Sequence, residues 1–406
     1  MLVRAPQLDR IRISENKLEV PREISIPYIV GDGIGEDISP ITIDVLRTAV
    51  EAAYTDRRIE WFELPAGDAG ERKVGSRLPS ETLQYLREHV VSLKGPLATP
   101  VAAGFRSVNV ILRKLLDLYA CVRPCRYTPG VPSPMKHPEH VNVVVFRENT
   151  EDVYMGVEYE KGSDRADKLR RFLGEELGDF IREGSGIGIK PISEFGSKRF
   201  VRKAIQYAFD RKRDLVTLVH KGNIMKHTEG AFMRWGYEVA EQEFAGRIVK
   251  GEGPPIPGKV RINDRIADNM FQQVILRPDK YAVLATPNLT GDYLSDTCAA
   301  LVGGLGLAPG ANIGDHYAVF EATHGTAPDI AGKDLANPSG LVLSGRMLLN
   351  YIGWDQAAQL VTKAVELSVQ GRRVTADLAV QMEKSSTVGS REFGEILKEN
   401  IRRAAR

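Results

Sequence analysis

Apolar runs of strand length alternate with stretches whose apolar residues recur every three or four positions. Ile24–Val30, reading ISIPYIV, predicts a buried strand that ends in the turn Gly31-Asp-Gly-Ile-Gly35. After it, Ile41, Val45, Ala49 and Ala52 fall at helical spacing. Similar runs predict strands at 90–94, 141–146, 215–220, 281–286 and 318–322. Helical periodicity predicts helices at 195–210, 226–244, 264–276, 338–351 and 355–370. This alternation implies an α/β fold with a largely parallel sheet covered by helices, whose sites gather where strands end. The charged, glycine-rich stretch Glu158–Gly188 breaks the rhythm. It reads as an inserted arm of the kind that serves a subunit contact. Gly251–Gly258, GEGPPIPG, reads as a surface loop.

The turn at Gly31 follows a strand and precedes a helix, as a dinucleotide-binding fingerprint would. Its spacing is wrong, because Glu36 stands where the third glycine belongs. A carboxylate there would repel a pyrophosphate, so the glycines are assigned to a tight turn and the fold is not a Rossmann fold.

Length and charge narrow the picture. A chain of 406 residues predicts two lobes. Hydrophobic residues make up 43% and charged residues 27%, as in a globular protein, and 55 basic against 53 acidic side chains leave a net +2. That balance argues against nucleic acid or an anionic membrane as the main partner, since both demand a sustained cationic face. Cys121, Cys125 and Cys298 have no zinc-like spacing and read as small buried side chains. With no apolar run of signal-peptide or membrane-helix length, the expected location is cytoplasmic.

The region from Arg106 to Arg147 carries the candidate chemistry. Val108, Ile111, Leu112 and Leu115 trace a helix stripe beginning at Ser107, and Asn109 and Arg113, four apart, share another face. Arg123 and Arg147 each abut a strand-like run. Guanidinium forks bind carboxylates through paired, charge-assisted hydrogen bonds, so such a set suits a substrate bearing several carboxylates. Taken singly, each of these arginines is more simply explained as a solvated surface group. Asp292 and Asp296 are also four apart, and Asp268 could complete an all-oxygen set for Mg²⁺ or Mn²⁺. Lys221, just after a strand, is a candidate base if its surroundings favour the neutral amine, and Tyr154 a candidate proton donor.

Five motifs in order give these residues a context: Thr99-Pro-Val-Ala-Ala-Gly-Phe-Arg-Ser-Val-Asn109, Phe146-Arg-Glu-Asn-Thr-Glu-Asp-Val-Tyr154, His220-Lys-Gly-Asn-Ile-Met-Lys226, Asn288-Leu-Thr-Gly-Asp-Tyr-Leu-Ser-Asp296 and Glu321-Ala-Thr-His-Gly-Thr-Ala-Pro328. Together the chain closely resembles the bacterial and archaeal homodimeric isocitrate dehydrogenases, within the β-decarboxylating dehydrogenase family, from about Ile24 to about Asn400. The resemblance implies that Ser107, Asn109, Arg113, Arg123 and Arg147 hold the carboxylates of isocitrate, with Ser107 and Asn109 on the γ-carboxylate. It implies that Tyr154 protonates the product, that Lys221 and Asp268 come from the partner subunit of a homodimer, and that Asp292 and Asp296 bind the metal. It also divides the chain into a large lobe (1–118 and 303–406), a small lobe (119–151 and 196–302) and a clasp-like arm (152–195).

The same resemblance places the nucleotide on the loop His324, Gly325, Thr326, Ala327, with Thr99 near the nicotinamide and Asn337 beside the adenine. In NADP-specific members a lysine, two tyrosines and an arginine grip the 2′-phosphate. The matching positions here are Asp329, Ile330, Ala376 and Val380. Three of these groups are uncharged and the fourth is a carboxylate, so the expected cofactor is NAD. Two rivals share the fold: an enzyme for homoisocitrate or 3-isopropylmalate, opposed by the Ser107/Asn109 pair, and a non-catalytic regulatory subunit, opposed by intact Tyr154, Lys221, Asp292 and Asp296.

Overall fold

A computed structural model describes residues 5–15, 17–99 and 107–406. Arg106 and the middle of the Thr99–Asn109 motif lie outside the described residues. Eleven strands form one continuous sheet: β1 (Glu23–Ile29), β2 (Arg58–Glu63), β3 (Val91–Lys94), β4 (Ala120–Arg126), β5 (Asn142–Glu148), β6 (Leu215–His220), β7 (Ile248–Lys250), β8 (Val260–Ile266), β9 (Val283–Thr286), β10 (Pro309–Ile313) and β11 (Ala318–Ala322). Their spatial order is β7-β8-β6-β9-β5-β4-β10-β11-β3-β1-β2. Pairing is parallel except where β4 meets β5 and where β10 meets β4 and β11. The mostly parallel α/β expectation therefore holds, and the non-parallel pairs cluster at the middle of the sheet.

The continuous apolar runs follow from burial on both faces, where alternate side chains enter different cores. In β1, Ile24 and Ile26 join one core while Ile29 joins another. In β5, Val144 and Phe146 face one way and Val143 and Val145 the other. One large core packs β1, β2, β3 and β11 beneath the helices Gly35–Ala53, Ser339–Tyr351, Asp355–Gln370 and Ser390–Ala404. A second packs β4, β5, β6, β8 and β9 beneath the helices Glu194–Asp210 and Glu229–Glu243. Ile313 and Met347 touch both cores, which marks the seam between them.

Several expectations shift by local chemistry. The helix expected at 226–244 begins at Glu229, after a series of turns that follows Lys221. The helix expected at 264–276 begins at Ala267, because Val260 and Ile262 alternate as strand residues and β8 runs on to Ile266. β2, β7, β8 and β10 were not anticipated: they are short or carry charged, proline or glycine residues that mask the apolar signal. The stretch read as an arm is bounded by the antiparallel pair Glu158–Tyr159 and Ile187–Gly188 and carries the helix Asp164–Leu177. All three cysteines are buried and free. No described helix is long and apolar enough to cross a membrane.

The first helix and the Ser339–Tyr351 helix approach closely at Gly345, where an added Cβ would lie 2.3 Å from Leu46 Cδ1. A side chain here must displace the buried Leu46 side chain or push the core helices apart, and overpacking of this kind costs about 1–3 kcal/mol. Gly345→Val is therefore expected to lower the thermal midpoint by several degrees; an unchanged melting curve would show that the two helices are not held at this distance.

Candidate active site

Strand register brings the first two arginines together. Arg123 in β4 stands opposite Val145 in β5, and Arg147 lies two residues further along β5, so both side chains project from one face. Arg147 is 2% exposed and donates through Nε to Asn288 Oδ1 at 2.8 Å and through Nη1 to Asp292. Arg123 donates to Ser295 Oγ at 2.6 Å, to Asp292 at 3.4 Å and to Asp296 at 3.5 Å. Asn288, Asp292, Ser295 and Asp296 all belong to the helix Asn288–Ala300, which starts just beyond β9. Gly291 lets that helix lie against β5, since a Cβ there would sit 2.7 Å from Arg147 Cβ. The two carboxylates at i and i+4 thus face the two arginines.

Tyr154 enters from the 3₁₀ turn Asp152–Met155, donating its hydroxyl to Asp292 Oδ2 at 2.6 Å while the Arg147 guanidinium lies 4.6 Å from its ring centroid. Burial, reinforced by the hydrogen bond to Asp292, pushes the phenol up to about 12. Burial alone would raise the Asp292 carboxyl, but Arg147, the Tyr154 hydroxyl and Arg123 hold it below the usual carboxylate range. Asp296 has weaker partners, and burial raises it. Two carboxylates of opposite tendency therefore sit side by side on one helix.

The helix Val108–Leu115 supplies the next group. Ser107 is its N-cap but makes no capping bond, and instead accepts from the Thr99 hydroxyl at 2.9 Å. Asn109 donates to Leu97 O at 3.1 Å, and its buried Oδ1 has no partner among the described residues. Arg113 donates to Glu321 Oε1 at 3.1 Å. Glu321 also pairs with Lys94 and accepts from Asn312 at 2.6 Å. Its burial would raise the carboxyl, yet Lys94 and Arg113 hold it far below the ordinary range. Lys94, 2% exposed at the end of β3, was missed from sequence, although a lysine closing the apolar run VSLK was the available signal. Glu321, interrupting the apolar strand AVFEA, carried the same signal.

Lys221 and Asp268 form a separate half. The Lys221 ammonium donates to Asp268 Oδ1 at 2.5 Å, and Asp268 is mostly exposed. Among the described residues no hydrogen bond or ion pair joins this couple to Arg113, Arg123, Arg147, Tyr154 or Asp292. Among them, too, no three carboxylate, histidine or cysteine side chains of the one chain converge as a metal cage. Asp292 and Asp296 alone offer the hard oxygen donors that suit Mg²⁺ or Mn²⁺.

The loop expected to bind nucleotide packs on the glycine turn. Ile34 N donates to Thr326 O at 2.9 Å, and Gly33, at φ +58°, approaches so closely that a Cβ would sit 2.2 Å from that oxygen. Ala327 adopts the left-handed region at φ +38°, and Gly325 has open space around it. His324 is turned onto Gly325 O, its buried Nε2 has no partner among the described residues, and burial lowers its pKa. Asn337 Oδ1 accepts the N–H of Ser339, the first residue of the helix Ser339–Tyr351, at 2.9 Å, and its amide donates to Asp377. Ile330 packs against the large core, whereas Asp329 is exposed.

Residues 25–397 match the family model described as isocitrate/isopropylmalate dehydrogenase. The chain is 53% identical over 400 residues to a protein of Archaeoglobus fulgidus named isocitrate dehydrogenase [NADP], covering 97% of this chain and 96% of that one. It is 52% identical over 403 residues to the isocitrate dehydrogenase [NADP] of Pseudomonas aeruginosa, covering 96% of each. A crystal structure of isocitrate dehydrogenase from Methylococcus capsulatus superimposes with TM-score 0.77 at 38% identity, over 93% of this chain and 99% of that one.

These relatives correct the expectation of NAD, since their names carry NADP at half identity over nearly the whole chain. The expectation weighed four side chains and no geometry. Asp329 is solvated, which weakens its repulsion of an anion. Lys333, whose ammonium lies 2.7 Å from the Asp329 carbonyl, keeps a cation at the loop that the four positions omit.

Asp292 is the shared partner of Arg147, Arg123 and Tyr154, and Asp292→Asn leaves two buried guanidiniums without it. Removing one member of a buried ion pair costs about 3 kcal/mol at the lower end of the observed range, which suits a carboxylate that keeps some solvent. The variant is expected to melt several degrees lower in metal-free buffer; equal melting temperatures would mean that the arginines do not depend on this carboxylate.

Proposed function

The chain belongs to the isocitrate/isopropylmalate dehydrogenase family, and from that premise we propose that it oxidises and decarboxylates isocitrate to 2-oxoglutarate and CO₂, using a divalent metal and NADP, the cofactor in its relatives' names. The observation that carries the reading is the convergence of Arg123, Arg147 and Tyr154 on the Asp292 carboxylate, with Arg113 and Lys94 on Glu321 beside them. Such a cluster fits a polyanion chelated to a cation. Among the described residues the Ser107 hydroxyl meets Thr99 and the Asn109 Oδ1 has no partner, so both remain for a further polar group, which favours isocitrate over an alkyl-bearing relative.

The roles follow from the side chains. Arg113, Arg123 and Arg147 hold the substrate carboxylates and fix the carbon that loses hydride. Asp292 and Asp296 hold the metal with Asp268 of the partner subunit. When bound, the metal lowers the pKa of the 2-hydroxyl and stabilises negative charge on that oxygen, while the nicotinamide accepts hydride. Lys221 takes the hydroxyl proton as a general base. Tyr154, whose raised pKa keeps its proton at neutral pH, delivers a proton to the carbon that CO₂ leaves. Thr99 and the 324–327 loop, with Asp329, Ile330 and Asn337 beyond it, bind the dinucleotide.

We assign the active form to a homodimer with shared sites. Supporting this, Lys221 and Asp268 stand apart from Tyr154 and Asp292 in the single chain. Large apolar side chains are also exposed on the arm (Phe172, Leu177, Phe180) and around the site helices (Ile224, Leu276, Tyr293). A second copy is the occupant proposed for these faces, because it alone would bring the two halves together.

Purified protein supplied with isocitrate, Mg²⁺ and NADP should form NADPH and release CO₂, and absence of turnover would remove the assignment. Tyr154→Phe and Lys221→Met should each abolish turnover in uniform dimers while leaving the fold intact. In hybrid dimers made from the two variants, one site carries both substitutions and the other neither. Recovery to roughly half the wild-type rate per dimer is expected, if the two sites act independently. Hybrids as inactive as their parents would show that the sites are not shared.

A further inference from the structure

Outside the substrate cluster, buried charge converges on Lys190, which follows the returning strand of the arm. Its ammonium donates to Asp152 Oδ1 at 2.8 Å and to Glu229 Oε1 at 2.9 Å. Both carboxylates are 1% exposed. Asp152 opens the turn that presents Tyr154 and holds φ +66°, a conformation uncommon outside glycine. Its oxygens also accept the backbone N–H of Val153 at 2.7 Å and of Leu289 at 3.0 Å, the latter in the helix that carries Asp292 and Asp296. Asp152 N itself donates to Pro191 O at 2.9 Å. Glu229 begins the helix Glu229–Glu243, and its second oxygen accepts the backbone N–H of Lys221.

One ammonium therefore sits between the backbone that aims Tyr154, the helix that aims Asp292 and the backbone that aims Lys221. We propose that Lys190 is a positioning residue for the reaction: by holding Asp152 and Glu229 together it fixes the backbone that presents Tyr154 to one site and Lys221 to the other. The inference rests on the roles assigned above to Tyr154 and Lys221. Without the ammonium, two buried carboxylates face each other with only backbone amides to offset them. Either one must take up a proton or the two must separate, and separation moves the 152–155 turn away from residue 221. Lys190 touches none of Arg113, Arg123 and Arg147, so its loss falls first on the placement of Tyr154 and Lys221 rather than on the groups that hold the substrate carboxylates. In the proposed dimer, where Lys221 serves the partner's site, each Lys190 stands between two active sites.

The test is steady-state kinetics on Lys190→Met, Lys190→Arg and the double variant Lys190→Met/Glu229→Gln, with thermal melting to establish that each is folded. Lys190→Met is expected to lose about tenfold or more in kcat, the scale of a sub-ångström to ångström misplacement, with KM for isocitrate within about twofold of wild type. Lys190→Arg should retain more kcat than Lys190→Met. The double variant should recover some of the loss, because the glutamine amide oxygen still accepts from Lys221 N while the like-charge contact is gone. If Lys190→Met does not fold, the other two variants carry the comparison with wild type. Wild-type kcat in folded Lys190→Met, or kcat and affinity for isocitrate falling in parallel, would overturn the proposal. Tyr154→Phe and Lys221→Met are assayed beside them. If those two turn over normally, the underlying roles fail; if they are inactive while Lys190→Met is unimpaired, only the present inference fails.

Discussion

A guanidinium removed from water must be met by a carboxylate, and this requirement organises the protein around Arg147. Taking such an ion out of solvent costs several kcal/mol, which only close partners can offset. Arg147 is almost wholly buried, and burial together with Arg123 and Arg113 works against its charge. Asp292 answers it, and with it comes the helix Asn288–Ala300, whose position over β5 is fixed by that pair, by the Arg147–Asn288 hydrogen bond and by Gly291. The charges then nearly balance. Lys94, Arg113, Arg123 and Arg147 face Glu321, Asp292 and Asp296, which leaves one positive charge in excess. A tricarboxylate with a divalent cation carries one net negative charge, so the proposed substrate and metal together match the cluster's excess.

How much of this could be read from the chain depends on which force placed each residue. Strands buried on both faces announce themselves as apolar runs, and β1, β5, β6, β9 and β11 were legible for that reason. Arg123 and Arg147 were visible as charges beside such runs, but only the antiparallel register of β4 on β5 puts them on one face. β10 was hidden because PGANI opens on proline and glycine and places Asn312 toward Glu321. Lys94 and Glu321 were hidden in another way. Each closes or interrupts an apolar strand, and their pairing is a contact between β3 and β11, far apart in sequence yet adjacent in the sheet.

The nucleotide loop shows where reasoning from matched positions fails. Substituting four side chains says what has been removed; affinity for a phosphate depends on every cation within a Debye length and on how solvated the opposing carboxylate is. Asp329 lies at the surface, with the Lys333 ammonium folded back onto its carbonyl. Neither fact is visible in a four-residue comparison. The glycine turn, by contrast, was correctly separated from a Rossmann fingerprint, because its spacing is a backbone property: Gly33 is needed where the turn meets Thr326 O, and no pyrophosphate has to be invoked.

Sheet topology also explains why the candidate site residues divide into two groups. β6, β9 and β5 run parallel as neighbours, so Lys221, the helix bearing Asp292 and the segment bearing Tyr154 all leave from the same edge. Two strand spacings separate β6 from β5, about 10 Å. The Asn288–Ala300 helix emerges between them, and its Asp292 reaches toward Tyr154 on the β5 side. Lys221 meanwhile turns to Asp268, at the start of the helix that follows β8 on the far side of β6. In the single chain Lys221 is thus paired with Asp268 while Tyr154 is paired with Asp292. In the proposed homodimer a two-fold axis would let each subunit supply Lys221 and Asp268 to the other, for both sites at once. The same geometry would place Lys190 where a change at one site is felt at the other, through two carboxylates that share a single ammonium.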